Sequence, residues 1–231
     1  TILGAINNEA TKRGGSLLSV LKRGIELSNR TLTLMYPKPA TSFNAELSAK
    51  YRANRFTVVQ EVWTTEEEEE RIDLVICLNG LSIVSFELKC NASGQSVEDA
   101  MWQYRKERDP KSRLFLFKAG TLVNFAMDLN EVYMTTKLDE EKTFFLPFNM
   151  GSGEGVYAGK GNPPSKDDYP VSYMWKEILA PDSLIELISK FIFIQTKESV
   201  DEATGRKKRS EAIIFPRYHQ LRAVRRILAD V

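Results

Sequence analysis

The chain has 231 residues, room for one large domain or one domain with extensions. A hydrophobic share of 42% and a charged share of 27% are those of a globular protein; they exclude disordered and fibrous classes, and no apolar run approaches the roughly 18 residues of a membrane span. Net charge is +1, from 32 basic and 31 acidic residues, so only the distribution of charge can speak for or against a nucleic-acid partner.

In chain order, residues 1–54 read as helical. Ser16 to Leu27 carries apolar residues at helical spacing, Pro37 and Pro39 punctuate, and Thr41-Ser42-Phe43-Asn44 starts a second helix carrying Glu46, Leu47 and Tyr51. The period then changes. Residues 56–63, 71–78 and 81–89 are strands, with the glutamates 66–70 as a solvated turn and Asn79-Gly80 as a hairpin signal. Residues 95–109 form a helix with Val97, Ala100, Met101 and Tyr104 on one face, stopped by Pro110. Three short strands are expected at 114–117, 122–126 and 131–135. Residues 147–171 are a Gly/Pro-rich loop, 172–179 and 181–193 are helices, 197–209 is a mobile polar linker ending in a basic run, and 216–230 is a last helix. Helices, a β-meander, a crossing helix and further strands make an α/β or α+β domain.

Cys77 and Cys90 make no disulfide framework and no metal-ligand spacing, and a reducing cytoplasm is the expected location. With His219 as the sole histidine, His-based zinc chemistry and a Ser-His-Asp triad are poor candidates. The informative residues are Asp73, Glu87 and Lys89, set on adjacent strands in apolar surroundings. Glu87 and Lys89 project from one side of their strand, about 6.6 Å apart. Buried carboxylates need a cation or a hydrogen-bond network. Asp plus Glu is a hard-oxygen pair suited to Mg²⁺, and a lysine beside it can assist an attacking water or neutralise a phosphate. The combination points to metal-dependent phosphodiester hydrolysis; the plainer alternative is an edge-strand charge and a surface ion pair.

Geometry sets a condition on this reading. A two-residue turn at Asn79-Gly80 would pair Asp73 with Phe86 and turn Glu87 to the opposite face. An odd loop or a β-bulge is therefore predicted in this hairpin.

The segments Ile72-Asp73-Leu74-Val75-Ile76, Asn79-Gly80 and Phe86-Glu87-Leu88-Lys89, followed by Gly94 to Ala100 and Gln103 to Pro110, resemble the nuclease domain of the restriction (R) subunit of type I restriction–modification enzymes. The likeness spans about residues 45–231. It implies a PD-(D/E)xK, restriction-endonuclease-like α/β core: a mixed central β-sheet flanked by helices. It implies Asp73 and Glu87 as metal ligands for Mg²⁺, Lys89 as the catalytic lysine, and Gln103 and Tyr104 as further catalytic residues. Those two residues are adjacent here, where a related pattern separates them by three, so they point about 100° apart on a helix. Asn91 departs from an expected proline-containing stretch, and Glu46 is a candidate supporting carboxylate or a solvent-facing one. The basic residues Arg105, Lys106, Arg108, Lys111 and Arg113 are candidate DNA-phosphate contacts, as are Arg52 and Arg55.

Residues 214–224 resemble the adenine-recognising Q motif of superfamily 2 helicase-like motors. Gln220 would read the adenine edge, and Phe215 or Tyr218 would supply an aromatic contact. No G-x-x-x-x-G-K-[ST] loop follows, so the ATP site would be completed in a longer protein of which this is expected to be an N-terminal piece. The expected organisation is a helical element at 1–44, a nuclease core at 45–150, connecting loop and helices at 151–196, a flexible linker at 197–212 and the start of the motor at 213–231. The implied activity is cleavage of double-stranded DNA after ATP-driven translocation. Its partners would be methylation (M) and specificity (S) subunits, with S-adenosylmethionine entering only through the methyltransferase and no membrane involved. The alternatives are another nuclease of this fold, for repair or junction resolution, and a catalytically silent DNA-binding or assembly module.

Overall fold

The structure is a computed structural model that describes residues 1–64, 70–152, 160–200 and 207–230. The glutamates 66–69, three glycines of the long loop (Gly153, Gly155, Gly159) and Arg206 lie outside the described residues. At its centre is a six-stranded mixed sheet of β3 (Phe56–Trp63), β4 (Arg71–Leu78), β5 (Leu81–Leu88), β6 (Val123–Met127), β7 (Val132–Thr135) and β8 (Leu146–Pro147), in that spatial order. Every neighbouring pair is antiparallel except β5 and β6. A parallel pair needs a crossover, and helix α4 (Val97–Lys106) supplies it.

The β4–β5 hairpin meets the condition set by the sequence. Its turn is a two-residue one, with Asn79 at φ 51° and Gly80 at φ 82°, as a primed hairpin turn demands. Leu78 pairs with Leu81 and Cys77 with Ser82. The register then slips by one, to Ile76 with Val84, Val75 with Ser85 and Leu74 with Phe86. Ile83 is the extra residue of a β-bulge, and it and Val84 both pack into the same apolar cluster. One residue beyond Leu74 and Phe86, Asp73 and Glu87 come opposite each other. A bulge, rather than a longer loop, puts both carboxylates on one face.

That face is covered by α4. Val97, Ala100, Met101 and Tyr104 pack on Ile72, Val75 and Ala126, as their helical spacing predicts. Ser96 and Asp99 close a capping box on the first turn. Asp128, just beyond β6, accepts from Val97 N–H at 3.0 Å and ties the helix to the sheet. The opposite face carries a larger core. Leu17, Leu18 and Leu21 of α2 (Leu17–Arg23), Met174 to Ile192, and Ile213 to Leu221 pack there on Val84, Phe86 and Phe125.

Several expectations are corrected. The N-terminal segment forms two helices, α1 (Ile2–Thr11) and α2, the second ending at Arg23, and Ile25–Leu27 (β1) pairs with Arg30–Leu32 (β2) in a small hairpin. The second expected helix forms as α3 (Ala45–Arg52), where the Asn44 side chain accepts from Leu47 N–H. Residues 114–117 form turns, not a strand: the chain reverses there, with Thr121 N–H donating to Leu114 O at 2.8 Å. The helix expected at 181–193 is shorter. Pro181–Glu186 (α5) leads into a π-turn at Leu187–Phe191, and Phe193–Val200 (β9) follows as a strand. The linker expected at 197–212 is occupied on both sides by an antiparallel arm, β9 paired with β10 (Lys207–Ile214) from Phe193–Ile214 to Val200–Lys207. Alternation of Thr, Val and Ile with polar residues is a strand signal that charge density had masked. The last helix, α6 (Tyr218–Ala229), forms as predicted. No helix among the described residues is long and apolar enough to cross a membrane.

Candidate functional site

The site lies where β4 and β5 pass beneath the C-terminal half of α4. Asp73 is half-buried; its Oδ2 accepts from Leu88 N–H at 2.6 Å, which fixes it across the hairpin. Glu87 is fully buried, at 0% exposure. Its Oε1 accepts from Arg108 Nε at 2.6 Å, and its Oε2 has no hydrogen-bond partner among the described residues. Lys89, half-buried, follows on the same face and is close enough for its charge to act on Glu87. The three residues singled out in the sequence therefore converge.

Burial raises the Glu87 carboxyl from its ordinary value of 4.5 to about 8. Arg108 pulls the other way, Asp73 adds to the rise, and Lys89 opposes it. Because the folded value is the higher one, the native chain holds a proton that the unfolded chain releases. That contribution to stability is complete below the unfolded value and is lost as pH rises through about 8. In chelator, urea denaturation is accordingly expected to show lower stability at about pH 9 than at about pH 6. A stability that held or rose over that interval would contradict the assignment.

Arg108 is the residue beside Glu87 that sequence reasoning placed elsewhere. It was grouped with the DNA-contacting basic cluster, yet it is 5% exposed and turned inward. Its Nη2 donates to Arg71 O at 3.0 Å, and its Nη1 lies 3.7 Å from Glu107 Oε2 and 4.0 Å from Glu70 Oε2. The signal was available. Ala100 and Tyr104 fall four residues apart on the buried face of α4, and Arg108 follows after the same interval, in the turn just past the helix end. The rest of that cluster disperses. Arg105 donates to Thr143 O and lies over the Phe145 ring, Lys106 pairs with Glu141, and Arg113 reaches Asn7. Lys111, Arg52 and Arg55 are exposed.

Gln103 and Tyr104 separate as their 100° offset requires. Tyr104 is fully buried between Phe115 and Phe145, with its hydroxyl 2.8 Å from Ser85 Oγ. Burial lifts its phenol well above the ordinary value, which keeps it neutral. Ser85 passes the network on to Asn124 Oδ1 at 2.6 Å, and Thr121 Oγ1 meets the same oxygen at 2.6 Å. Tyr104 thus locks α4 onto β5 two residues before Glu87. Gln103 donates to Glu107 Oε2 at 3.1 Å, while its own Oε1 is buried without a partner among the described residues. It reaches Glu87 only through Glu107 and Arg108. Asn91 bonds Asp128 and Asn130 and so pins the loop after the lysine. Glu46 pairs with Lys50 at 2.6 Å on the surface, the solvent-facing alternative.

The residues of the Q-motif likeness are placed in packing roles. Phe215 and Tyr218, 7% and 4% exposed, sit in an aromatic cluster with Phe125, Phe148 and Tyr173. Their rings are core, so the expected adenine contact has no open face to use. Gln220 is exposed and caps α6, its Oε1 accepting from Arg217 N–H at 3.0 Å.

Among the described residues no group of three or more His, Cys, Asp and Glu side chains is arranged to hold a metal ion. What the site offers is two carboxylates, one with an unsatisfied buried oxygen, beside a lysine. A six-stranded mixed sheet flanked by helices, with Asp, Glu and Lys on the bulged hairpin at its centre, defines a core of the PD-(D/E)xK nuclease kind. The model of the type I restriction enzyme R protein N terminus matches residues 20–143, more than half of the chain, and the chain belongs to that family. No curated protein matches it.

Proposed function

We propose that this domain hydrolyses phosphodiester bonds of double-stranded DNA with Mg²⁺, as the cutting part of a type I restriction complex. The observation that carries the reading is the convergence of Asp73, Glu87 and Lys89 on one face, with Glu87 Oε2 buried and unpartnered. A buried acceptor without a donor costs about 1–3 kcal/mol, more when charged, and a hard cation relieves that cost. Two carboxylates suffice for Mg²⁺, which keeps several waters and takes further oxygens from substrate phosphate. Asp73 and Glu87 would hold the ion; when bound it supplies Lewis acidity and a more acidic water. Asp73 is held for this role by Leu88 N–H, and Glu87 by Arg108. Lys89 places a positive charge on the same face, suited to the scissile phosphate. ATP-driven translocation by a motor segment, and target choice by methylation and specificity subunits, belong to the same proposal and rest on family membership alone.

One observation favours the silent-module alternative: Arg108 already engages one oxygen of Glu87. Asp73→Ala in the complete complex decides between the two. Loss of DNA cleavage with ATP hydrolysis retained supports the nuclease reading; retained cleavage contradicts it.

A further inference from the structure

We propose that Arg108 is the positioning residue of Glu87, holding one carboxylate oxygen so that Oε2 alone is presented to a divalent cation; the inference rests on the reading of Asp73 and Glu87 as the metal-holding pair. Arginine often meets a carboxylate with two parallel N–H donors, one to each oxygen. Here it does not. Nε takes Glu87 Oε1 at 2.6 Å, while Nη2 is spent on Arg71 O at 3.0 Å. The pair engages one oxygen and leaves Oε2 buried without a partner among the described residues. Arg71 stands on β4 two residues before Asp73, so the guanidinium spans the two strands that carry the carboxylates. Asp73 is likewise held through a single oxygen, Oδ2.

The hold is rigid at both ends. The side chains of Arg108 and Glu87 are 4% and 0% exposed, and Nη1 faces the carboxylates of Glu107 and Glu70. Residues that orient a metal-binding carboxylate in this way typically change metal affinity by about 10–100-fold when removed. Lysine is no substitute, because one ammonium on a flexible stem cannot reproduce a planar fork that spans two acceptors.

The test is the affinity of the full chain for Mn²⁺ alone, followed by the paramagnetic signal of free Mn²⁺, for wild type, Arg108→Met and Arg108→Lys, with circular dichroism as the check on folding. Arg108→Met is expected to bind about 10–100-fold more weakly, and Arg108→Lys to remain several-fold weaker than wild type despite its charge. A folded Arg108→Met that binds as tightly as wild type, or more tightly, overturns the proposal. If Arg108→Met fails to fold, Arg108→Lys decides alone, and wild-type affinity there overturns it. Wild-type binding that is indifferent to Asp73→Ala overturns the metal reading itself, and the proposal with it. That outcome is distinct from one in which Asp73→Ala abolishes binding and the Arg108 variants do not alter it.

Discussion

Glu87→Gln is expected to lower Mg²⁺-dependent DNA cleavage by the restriction complex by about three orders of magnitude while leaving the domain folded. The loss follows from the several kcal/mol that a metal ion contributes to charge stabilisation in such a transition state, at about 1.4 kcal/mol per factor of ten. The fold survives because glutamine has the shape of the carboxyl it replaces and its Oε1 still accepts from Arg108 Nε. Arg108 also keeps Arg71 O and the nearby carboxylates of Glu107 and Glu70. The same substitution removes the one strongly raised carboxyl of the site. The decline in metal-free stability between about pH 6 and pH 9 should flatten with it. Plasmid cleavage by the complex and urea denaturation of the domain check the two halves separately. Wild-type cleavage by a folded Glu87→Gln protein would remove Glu87 from the reaction.

Tyr104→Ala is expected to destabilise the domain by about 3–5 kcal/mol, as deletion of a large buried ring does. The ring is fully buried, contacts Phe115 and Phe145, and bonds Ser85. Tyr104→Phe keeps the ring and loses one hydrogen bond, about 1 kcal/mol, since Ser85 Oγ retains Asn124. The pair of variants separates packing from chemistry. If the hydroxyl acts only by locking α4 onto β5, Tyr104→Phe cleaves within a few-fold of wild type. A large loss of cleavage in a stable Tyr104→Phe protein would give the phenol a direct part in catalysis.

The central sheet was legible because its signals are local. Asn79-Gly80 dictates a primed turn, β-branched residues fill β4 and β5, and Val97 to Tyr104 repeats at helical period on the buried face of α4. The bulge was legible for a different reason. Two carboxylates could share a face only if the hairpin slipped by one, and Ile83 supplies the slip. What was not legible depends on tertiary context. Arg108 reads as a surface cation by its charge, although it falls four residues after Tyr104; the Arg71 carbonyl on β4 and the buried Glu87 carboxyl on β5 turn it inward. The mostly polar residues 193–200 and 207–214 pair as an arm whose register joins residues up to 21 apart, with few apolar side chains to announce it. Phe215 and Tyr218 fit an adenine-contact pattern and a core pattern equally well; packing against Phe125, Phe148 and Tyr173 chooses the second.

The central claim is that Asp73 and Glu87 together hold a divalent cation. Calorimetric titration of the chain with Mn²⁺, wild type against an Asp73→Ala/Glu87→Gln double variant, tests it most directly. The account predicts saturable binding to the wild type and none to the folded double variant. Equal binding heats for the two proteins would contradict it.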